Sequence, residues 1–225
     1  NGKLQSVVDF TTDAPEGVTV ELKSGKEAKA EGQNVGTYYM GLTKEDFEVE
    51  SQNYKVELSV KDGWLEITPA PVTLQAPIAS KSYDGTPLEA TQFGHSYLEG
   101  LDFADDFESI ILTGSQTLVG SSASLITGVI LNEGKKLTNY NFTFVPGTLT
   151  VTDGTGDDPV KPENVVTKTH IPKDMGYNLG EPVTFTISVK NIYNTPKTIT
   201  LTEKANVKFS NGESVIVFND VPAGE

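Results

Sequence analysis

The sequence repeats itself at a spacing of about 84 residues, and this repeat limits the possible folds more than any other feature. Three short segments recur in the same order. Val35-Gly36-Thr37 matches Val119-Gly120-Ser121 at a spacing of 84, Asn53-Tyr54 matches Asn139-Tyr140 at 86, and residues 63–68 match residues 147–152 at 84. Small differences in spacing are typical of loops that vary between copies of one unit. We therefore expect two copies of one folding unit.

Within each copy, apolar residues alternate with polar ones on both sides of a turn. The turn is Asp62-Gly63 in the first copy and Pro146-Gly147 in the second. The alternating residues are Tyr54, Val56, Leu58, Val60, Leu65 and Ile67 in the first copy, and Tyr140, Phe142, Phe144, Leu149 and Val151 in the second. Alternation across such a turn predicts a β-hairpin with one buried face.

A segment of different composition follows the second copy. Residues 153–163 are rich in Gly, Asp and Pro, which is typical of a linker. Beyond it, Val183, Phe185, Ile187 and Val189 alternate with polar residues, and Ile199 and Leu201 alternate with threonines. This pattern predicts a β-sandwich. Only about 60 residues follow the linker, whereas an Ig-like sandwich has about 100.

The predicted fold class is therefore mainly β, a tandem of small β-sandwich or β-rich units. We assign residues 1–69 to the first copy, 70–152 to the second, 153–163 to the linker and 164–225 to an Ig-like unit. The first copy has no evident counterpart of residues 81–88, so we expect it to be truncated at its N-terminus. The Ig-like unit ends in a turn, so we expect it to be incomplete at its C-terminus.

Composition excludes several classes of function. The chain has 17 lysines, no arginine and 31 acidic residues, for a formal charge of −14. Such a charge argues against binding nucleic acid or an anionic membrane surface. No apolar run approaches the roughly 20 residues of a membrane helix, so we expect no membrane insertion. The absence of cysteine excludes disulfides, thiolate metal ligands and thiol nucleophiles.

The second copy resembles a known family of repeats. The relevant segments are residues 79–88, which include Tyr83-Asp84-Gly85-Thr86, then residues 113–120, 138–140 and 147–151. They resemble the MBG/YDG-type repeats, which occur in tandem within large surface proteins and adhesins of bacteria, Gram-positive gut species among them. Only the later segments recur in the first copy.

The last unit resembles a second family. Residues 165–169, Tyr177, residues 179–191 and the closing Val221-Pro222-Ala223-Gly224 are similar to DUF11-like, Ig-like surface repeats. Both resemblances imply an extracellular protein, secreted or attached to the bacterial cell wall, with a spacer or adhesive role. Neither family supplies a catalytic residue.

Two aromatic residues are candidates for ligand binding. Trp64 stands where the second copy has Thr148, and Tyr38 stands where it has Ser122, so the shared fold does not require either ring. Strand parity predicts that both point outward, on the face opposite Leu65. Exposed aromatic rings can stack on sugars. Packing between domains is the alternative explanation.

The residues provide little support for catalysis. His95 and His170 lie in no nucleophile-elbow motif and at no metal-ligand spacing. The densest acidic run, Glu99, Asp102, Asp105, Asp106 and Glu108, could in principle supply a glycosidase pair. We interpret it as a solvated loop, and we expect no catalytic residue, no metal site and no cofactor.

Two further sites were weighed as alternatives. Asp153, Thr155, Asp157 and Asp158 offer oxygen ligands to Ca²⁺ within the linker, although the bidentate Glu of a helix-loop-helix site is missing. Lys168 lies where some surface sandwiches carry the lysine of an isopeptide bond, but the strand that would hold its partner is missing from the sequence.

The sequence thus predicts a non-enzymatic structural or adhesive segment of a large bacterial surface protein, acting as a spacer or stalk. The alternatives are a carbohydrate- or mucin-binding module and an accessory region of a secreted glycosidase. Expected partners are host glycans, mucin or extracellular matrix, and we expect a monomer.

Overall fold

The fold is mainly β, with 47% of residues in strands and 7% in helical turns, which confirms the predicted fold class. The computed structural model describes residues 2–93, 104–157, 159–170, 176–204 and 206–225. The strands are short because Gly, Pro and Asp residues interrupt the alternating segments at close intervals.

The first copy contains six strands that form three antiparallel pairs. The strands are β1 (Gln5–Val8), β2 (Val18–Leu22), β3 (Lys29–Gly32), β4 (Gly36–Tyr39), β5 (Phe47–Ser51) and β6 (Trp64–Ile67). β1 pairs with β3, β2 with β5 and β4 with β6. A one-turn 3-10 helix at Lys44–Asp46 precedes β5.

The second copy contains a larger sheet. Its strands are β7 (Ala70–Gln75), β8 (Ala79–Ser82), β9 (Leu88–Glu89), β10 (Phe107–Thr113), β11 (Ser115–Gln116), β12 (Gly120–Leu131), β13 (Tyr140–Val145) and β14 (Gly147–Thr152). The four-stranded sheet has the order β10-β12-β14-β8, and β8 runs parallel to β14. β9 pairs with β11, and β7 with β13.

The strand registers show that the two copies share one fold. Gly36 is opposite Ile67 in the β4–β6 pair, and Gly120, 84 residues later, is opposite Val151 in the β12–β14 pair. The next three pairs along these strands match in the same way. Gly36 and Gly120 also have nearly the same φ, 154° and 147°, a region that favours glycine. The sequence repeat is therefore a structural repeat.

The predicted hairpin of the second copy is wrong. β13 and β14 are strands, but β13 pairs with β7, whereas β14 pairs with β12 and β8. Only Pro146 separates the two strands, and a two-residue turn is the shortest common hairpin loop. The chain therefore passes from one sheet to another at Pro146.

The predicted hairpin of the first copy is also wrong. Residues 52–63 form no strand, and β6 pairs with β4 instead. The side chains of Tyr54 and Val56 are 57% and 39% exposed. By sequence this segment corresponds to β13, whose partner is β7. Residues 2–69 contain no described counterpart of β7, so the alternating segment has no strand with which to pair.

The expectation that the first copy lacks the whole stretch 81–88 needs a correction at its end. β1 pairs with β3 much as β9 pairs with β11: Gln5 is opposite Gly32, and Leu88 is opposite Gln116. The first copy thus has a counterpart of Leu88. The strands without a described counterpart among residues 2–69 are β7 and β8.

The last unit consists of two small antiparallel pairs. Its strands are β15 (Val166–His170), β16 (Phe185–Val189), β17 (Lys197–Thr202) and β18 (Val215–Val221). β15 pairs with β16 and β17 with β18, so consecutive strands β16 and β17 belong to different sheets, as in a sandwich. On β17 the threonines are exposed and Ile199 and Leu201 are half-buried, which confirms the predicted faces.

Clustering of the backbone divides the chain into two compact units. One comprises residues 1–73, 100–108 and 130–143, and the other comprises residues 74–99, 109–129 and 144–225. The buried apolar residues of the first unit include Ala28, Ala30, Phe47, Val72, Phe107 and Tyr140, and those of the second include Leu74, Tyr83, Leu88, Ile110, Leu112, Ile126, Leu149 and Val151. The four-part division predicted from the sequence stays a prediction.

Gly147 provides a test of this fold. A Cβ at this position would overlap the carbonyl oxygens of Ala76 and Pro77 and the hydroxyl of Ser124, so we expect Gly147→Ala to lower the free energy of unfolding by at least about 2 kcal/mol. Chemical denaturation measures the change. Gly156→Ala is the matched control, because a Cβ there meets nothing within 4 Å. Equal stability of the two variants would contradict the close packing at the start of β14.

Candidate functional site

The outward face of the β4–β6 pair carries the most prominent exposed aromatic side chains in a described strand pair. Tyr39 and Trp64 are directly opposite each other, with exposed fractions of 67% and 50%. Directly opposite residues in an antiparallel pair project from the same face. We call these two residues the aromatic pair. The Lys61 ammonium lies 6.0 Å from the centre of the Trp64 ring.

The predicted orientation of Tyr38 is wrong. Tyr38 is opposite Leu65, so it shares the inner face with this residue rather than the outer face with Trp64. Its hydroxyl donates to the carbonyl oxygen of Asn34 at 2.9 Å, and its ring covers Gly32. The sequence established the alternation along each strand but not the register between them, and the register decides which faces coincide.

The aromatic pair offers a surface that can stack on a planar or sugar ligand. Two neighbouring rings provide apolar contact area, while the phenol hydroxyl and the indole N–H provide polar edges. Trp64 and Tyr38 project from opposite faces and do not form one surface. Ligand binding at Trp64 stays a prediction, and Tyr39 is the neighbour that sequence reasoning missed.

The structure describes one of the two histidines. His170 lies on β15, is exposed, and stacks on Phe185 with 5.5 Å between ring centres. Tyr177 stacks at 6.3 Å. These contacts are aromatic packing. His95 lies outside the described residues.

The acidic run is not simply a solvated loop. Asp105 and Glu108 are exposed, but Asp106 is buried and accepts hydrogen bonds from the Lys135 ammonium and the Tyr140 hydroxyl. Glu99 and Asp102 lie outside the described residues. The interpretation as a solvated loop is therefore wrong for Asp106.

Asp106 is held in its ionised form. Burial opposes ionisation, but the hydrogen bonds from Lys135 and Tyr140 outweigh it and lower the pKa of Asp106. Burial and the hydrogen bond to Asp106 raise the pKa of the Tyr140 hydroxyl. The position of Tyr140 at the start of β13 is thus fixed to the 3-10 turn that ends at Asp106.

The possible calcium ligands of the linker do not form a cluster in the described part of the chain. Asp153 accepts a hydrogen bond from the Tyr193 hydroxyl at 2.8 Å, and Thr155 and Asp157 are exposed. Asp158 lies outside the described residues. Within the described ranges, no group of three or more His, Asp or Glu residues is placed to hold a metal ion.

Two further observations concern the remaining candidates. The Lys168 ammonium forms an ion pair with the Glu203 carboxylate at 2.7 Å. In the part of the chain that the structure describes, no helix combines the length and hydrophobicity needed to cross a membrane.

The Tyr-Asp-Gly motif has a structural explanation. Tyr83 is 2% exposed. One Asp84 carboxylate oxygen accepts hydrogen bonds from the Lys81 ammonium at 2.8 Å and from the Thr86 backbone N–H and hydroxyl at 2.8 and 2.7 Å. Gly85 has a φ of 81°, which favours glycine. The motif therefore anchors a tight turn after β8.

Asn191 explains why two distant motifs of the last unit occur together. Its side-chain N–H groups donate to the carbonyl oxygens of Thr195, Val221 and Pro222 at 2.9–3.0 Å. Its backbone carbonyl accepts from Gly224 at 3.0 Å. Asn191 is 2% exposed, so these hydrogen bonds are shielded from water.

Equivalent valines of the two copies form equivalent hydrogen bonds. The backbone N–H of Val35 donates to the side-chain oxygen of Asn139 at 2.9 Å. The N–H of Val119, 84 residues later, donates to the carbonyl oxygen of Ile192 at 2.7 Å, and Asn194 donates back to Val119 at 3.0 Å. In both cases the partner belongs to the sequence unit that follows. Sequence reasoning missed these contacts because they use backbone groups.

Comparisons with protein-family models, with curated proteins and with solved structures found no match to this chain. The functional argument therefore depends on the internal repeat and on the contacts described above.

The hydrogen bonds to Asp84 imply a dependence of stability on pH. They lower the pKa of Asp84 from 3.8 to about 2, chiefly through Lys81 and then Thr86. A carboxyl with a depressed pKa stabilises the folded state above the unfolded-state pKa, and this stabilisation is lost as the pH falls from about 4 to about 2.

We therefore expect Asp84→Asn to reduce the free energy of unfolding at pH 7 by at most about 1 kcal/mol, because Asp84 is half exposed, and to reduce it much less at pH 2. Chemical denaturation at the two pH values measures both changes. Asp13→Asn, at an exposed position, is the control. If both variants responded to pH alike, the role assigned to Asp84 would be wrong.

Proposed function

We propose that this chain is a non-catalytic spacer segment of a large bacterial surface protein, in which successive β units hold a binding region away from the cell. The observation that carries this proposal is the pair of equivalent valines. Each repeat uses the same Val-Gly position to donate a backbone hydrogen bond to the unit that follows it. A repeated contact of this kind supports a regular tandem array.

The chemistry of the conserved-looking motifs supports the same proposal. The side chains of Asp84, Asp106 and Asn191 all form hydrogen bonds within the fold. Each holds a turn or the start of a strand. The resemblance to surface repeats agrees with this, since both families imply extracellular display.

A distance measurement tests the spacer role. The native chain has no cysteine, so spin labels can be attached selectively at Leu125→Cys on β12 and Thr200→Cys on β17, which are both exposed and within one compact unit. We expect a single narrow distribution of distances between the labels by pulsed electron resonance. A broad distribution would contradict the spacer role, since the units would then be connected only by a flexible linker.

Two variants test whether the valine contact is the cause. Val119→Pro lacks the N–H that donates to Ile192, so we expect it to broaden the distribution. Val119→Ala keeps the N–H and should leave the distribution narrow. Similar distributions in both variants would show that the contact does not determine the distance.

The aromatic pair favours a second function, the binding of glycans at the outward face of β4 and β6. If this surface binds sugar, we expect Trp64→Ala and Tyr39→Ala each to weaken binding on a glycan array at least tenfold, because each removes half of the stacking surface. Tyr54→Ala is the matched control, since Tyr54 is an exposed aromatic residue outside the strands. Unchanged binding in the Trp64 variant would exclude this function.

A further inference from the structure

We propose that the outer edge of β6 accepts an extended strand from another polypeptide, parallel to β6, with the sequence pattern of β7 and β8. This inference goes beyond the spacer role, because it assigns an interaction surface and the chemistry of its partner. It depends on the internal comparison between the two copies.

The first observation is the difference in strand pairing between equivalent strands. β6 and β14 have the same register with β4 and β12, respectively. β14 has a second neighbour, since Leu149 to Thr152 pair in parallel with Ala79 to Ser82 of β8. β6 has no second partner among the described residues. Its outer edge thus corresponds to the edge of β14 that β8 covers.

The space beside this edge is open. A groove of about 270 Å³ is lined by Gln5, Leu65, Glu66, Ile67, Thr68 and Ala70. β1, which carries Gln5, does not take the place of β8, because β1 corresponds to β9 by its pairing with β3. The groove therefore follows the edge of β6 on the side where the second copy holds β8.

The second observation is the unpaired segment that precedes β6. Residues 54–60 alternate like a strand but form none, and Tyr54 and Val56 remain exposed. Their counterpart β13 pairs with β7, which directly precedes β8 in the chain. One donor segment with the pattern of β7 and β8 would therefore satisfy both unpaired regions at once.

The donor is defined by the chemistry of β7 and β8. Val72 and Leu74 alternate with polar residues on β7 and are 4% and 2% exposed, and Tyr83 after β8 is 2% exposed. A donor thus needs two alternating apolar residues, a short turn and a second extended segment. A folded second copy of this chain does not offer such a donor, because its own β7 and β8 are already paired. Strand addition of this kind gains affinity from backbone hydrogen bonds and specificity from alternate side chains.

The test uses the complete chain and a synthetic peptide with the sequence of residues 70–83. Trp64 is the only tryptophan and lies on β6, so its fluorescence reports binding directly. We expect a saturable change in Trp64 emission and, at saturation, at least about tenfold slower amide hydrogen exchange in residues 54–60 and 64–67. A peptide with Val72→Pro and Lys81→Pro is the control, because it lacks two backbone donors.

Two results would overturn the proposal. One is the absence of a saturable change in emission with the native peptide. The other is protection that the proline peptide produces equally, or that falls outside residues 54–67. The distance measurement on β12 and β17 is independent of this experiment, so failure here would leave the spacer role standing.

Discussion

Pairing of backbone hydrogen-bonding groups between strands is the constraint on which this structure depends. A strand cannot satisfy its backbone alone, so an alternating sequence becomes a strand only when a partner is available. The two copies show this directly. Residues 140–145 form β13 because β7 pairs with them, whereas residues 54–60, with the same alternation, form no strand.

Glycine and proline determine where the chain changes partners. Pro146 leaves too short a connection for a hairpin, and Gly147 allows β14 to lie close to the backbone of Ala76 and Pro77. Gly36 and Gly120 adopt the same left-handed conformation at the start of equivalent strands. These positions explain why the repeat is recognisable in a sequence whose other residues differ widely between copies.

The polar motifs stabilise turns and connections. Asp84 anchors the turn after β8, Asp106 holds Tyr140, and Asn191 joins two segments that are distant in the chain. Each of these side chains accepts or donates several hydrogen bonds within the fold, which is the ordinary condition of a buried or half-buried polar group. The aromatic pair is different, because its rings are exposed and contribute little to packing.

The sequence by itself determined the mainly β fold, the equivalence of the two copies and the faces of β17, because these follow from periodicity and from residues repeated at a fixed spacing. It also identified Trp64 as an aromatic residue that the shared fold does not need. Only the tertiary structure decided which strands pair, that Tyr39 rather than Tyr38 accompanies Trp64, and that Asp106 is buried. The reason is physical: alternation is a local property of one strand, whereas register and burial depend on a partner that lies far away in the sequence.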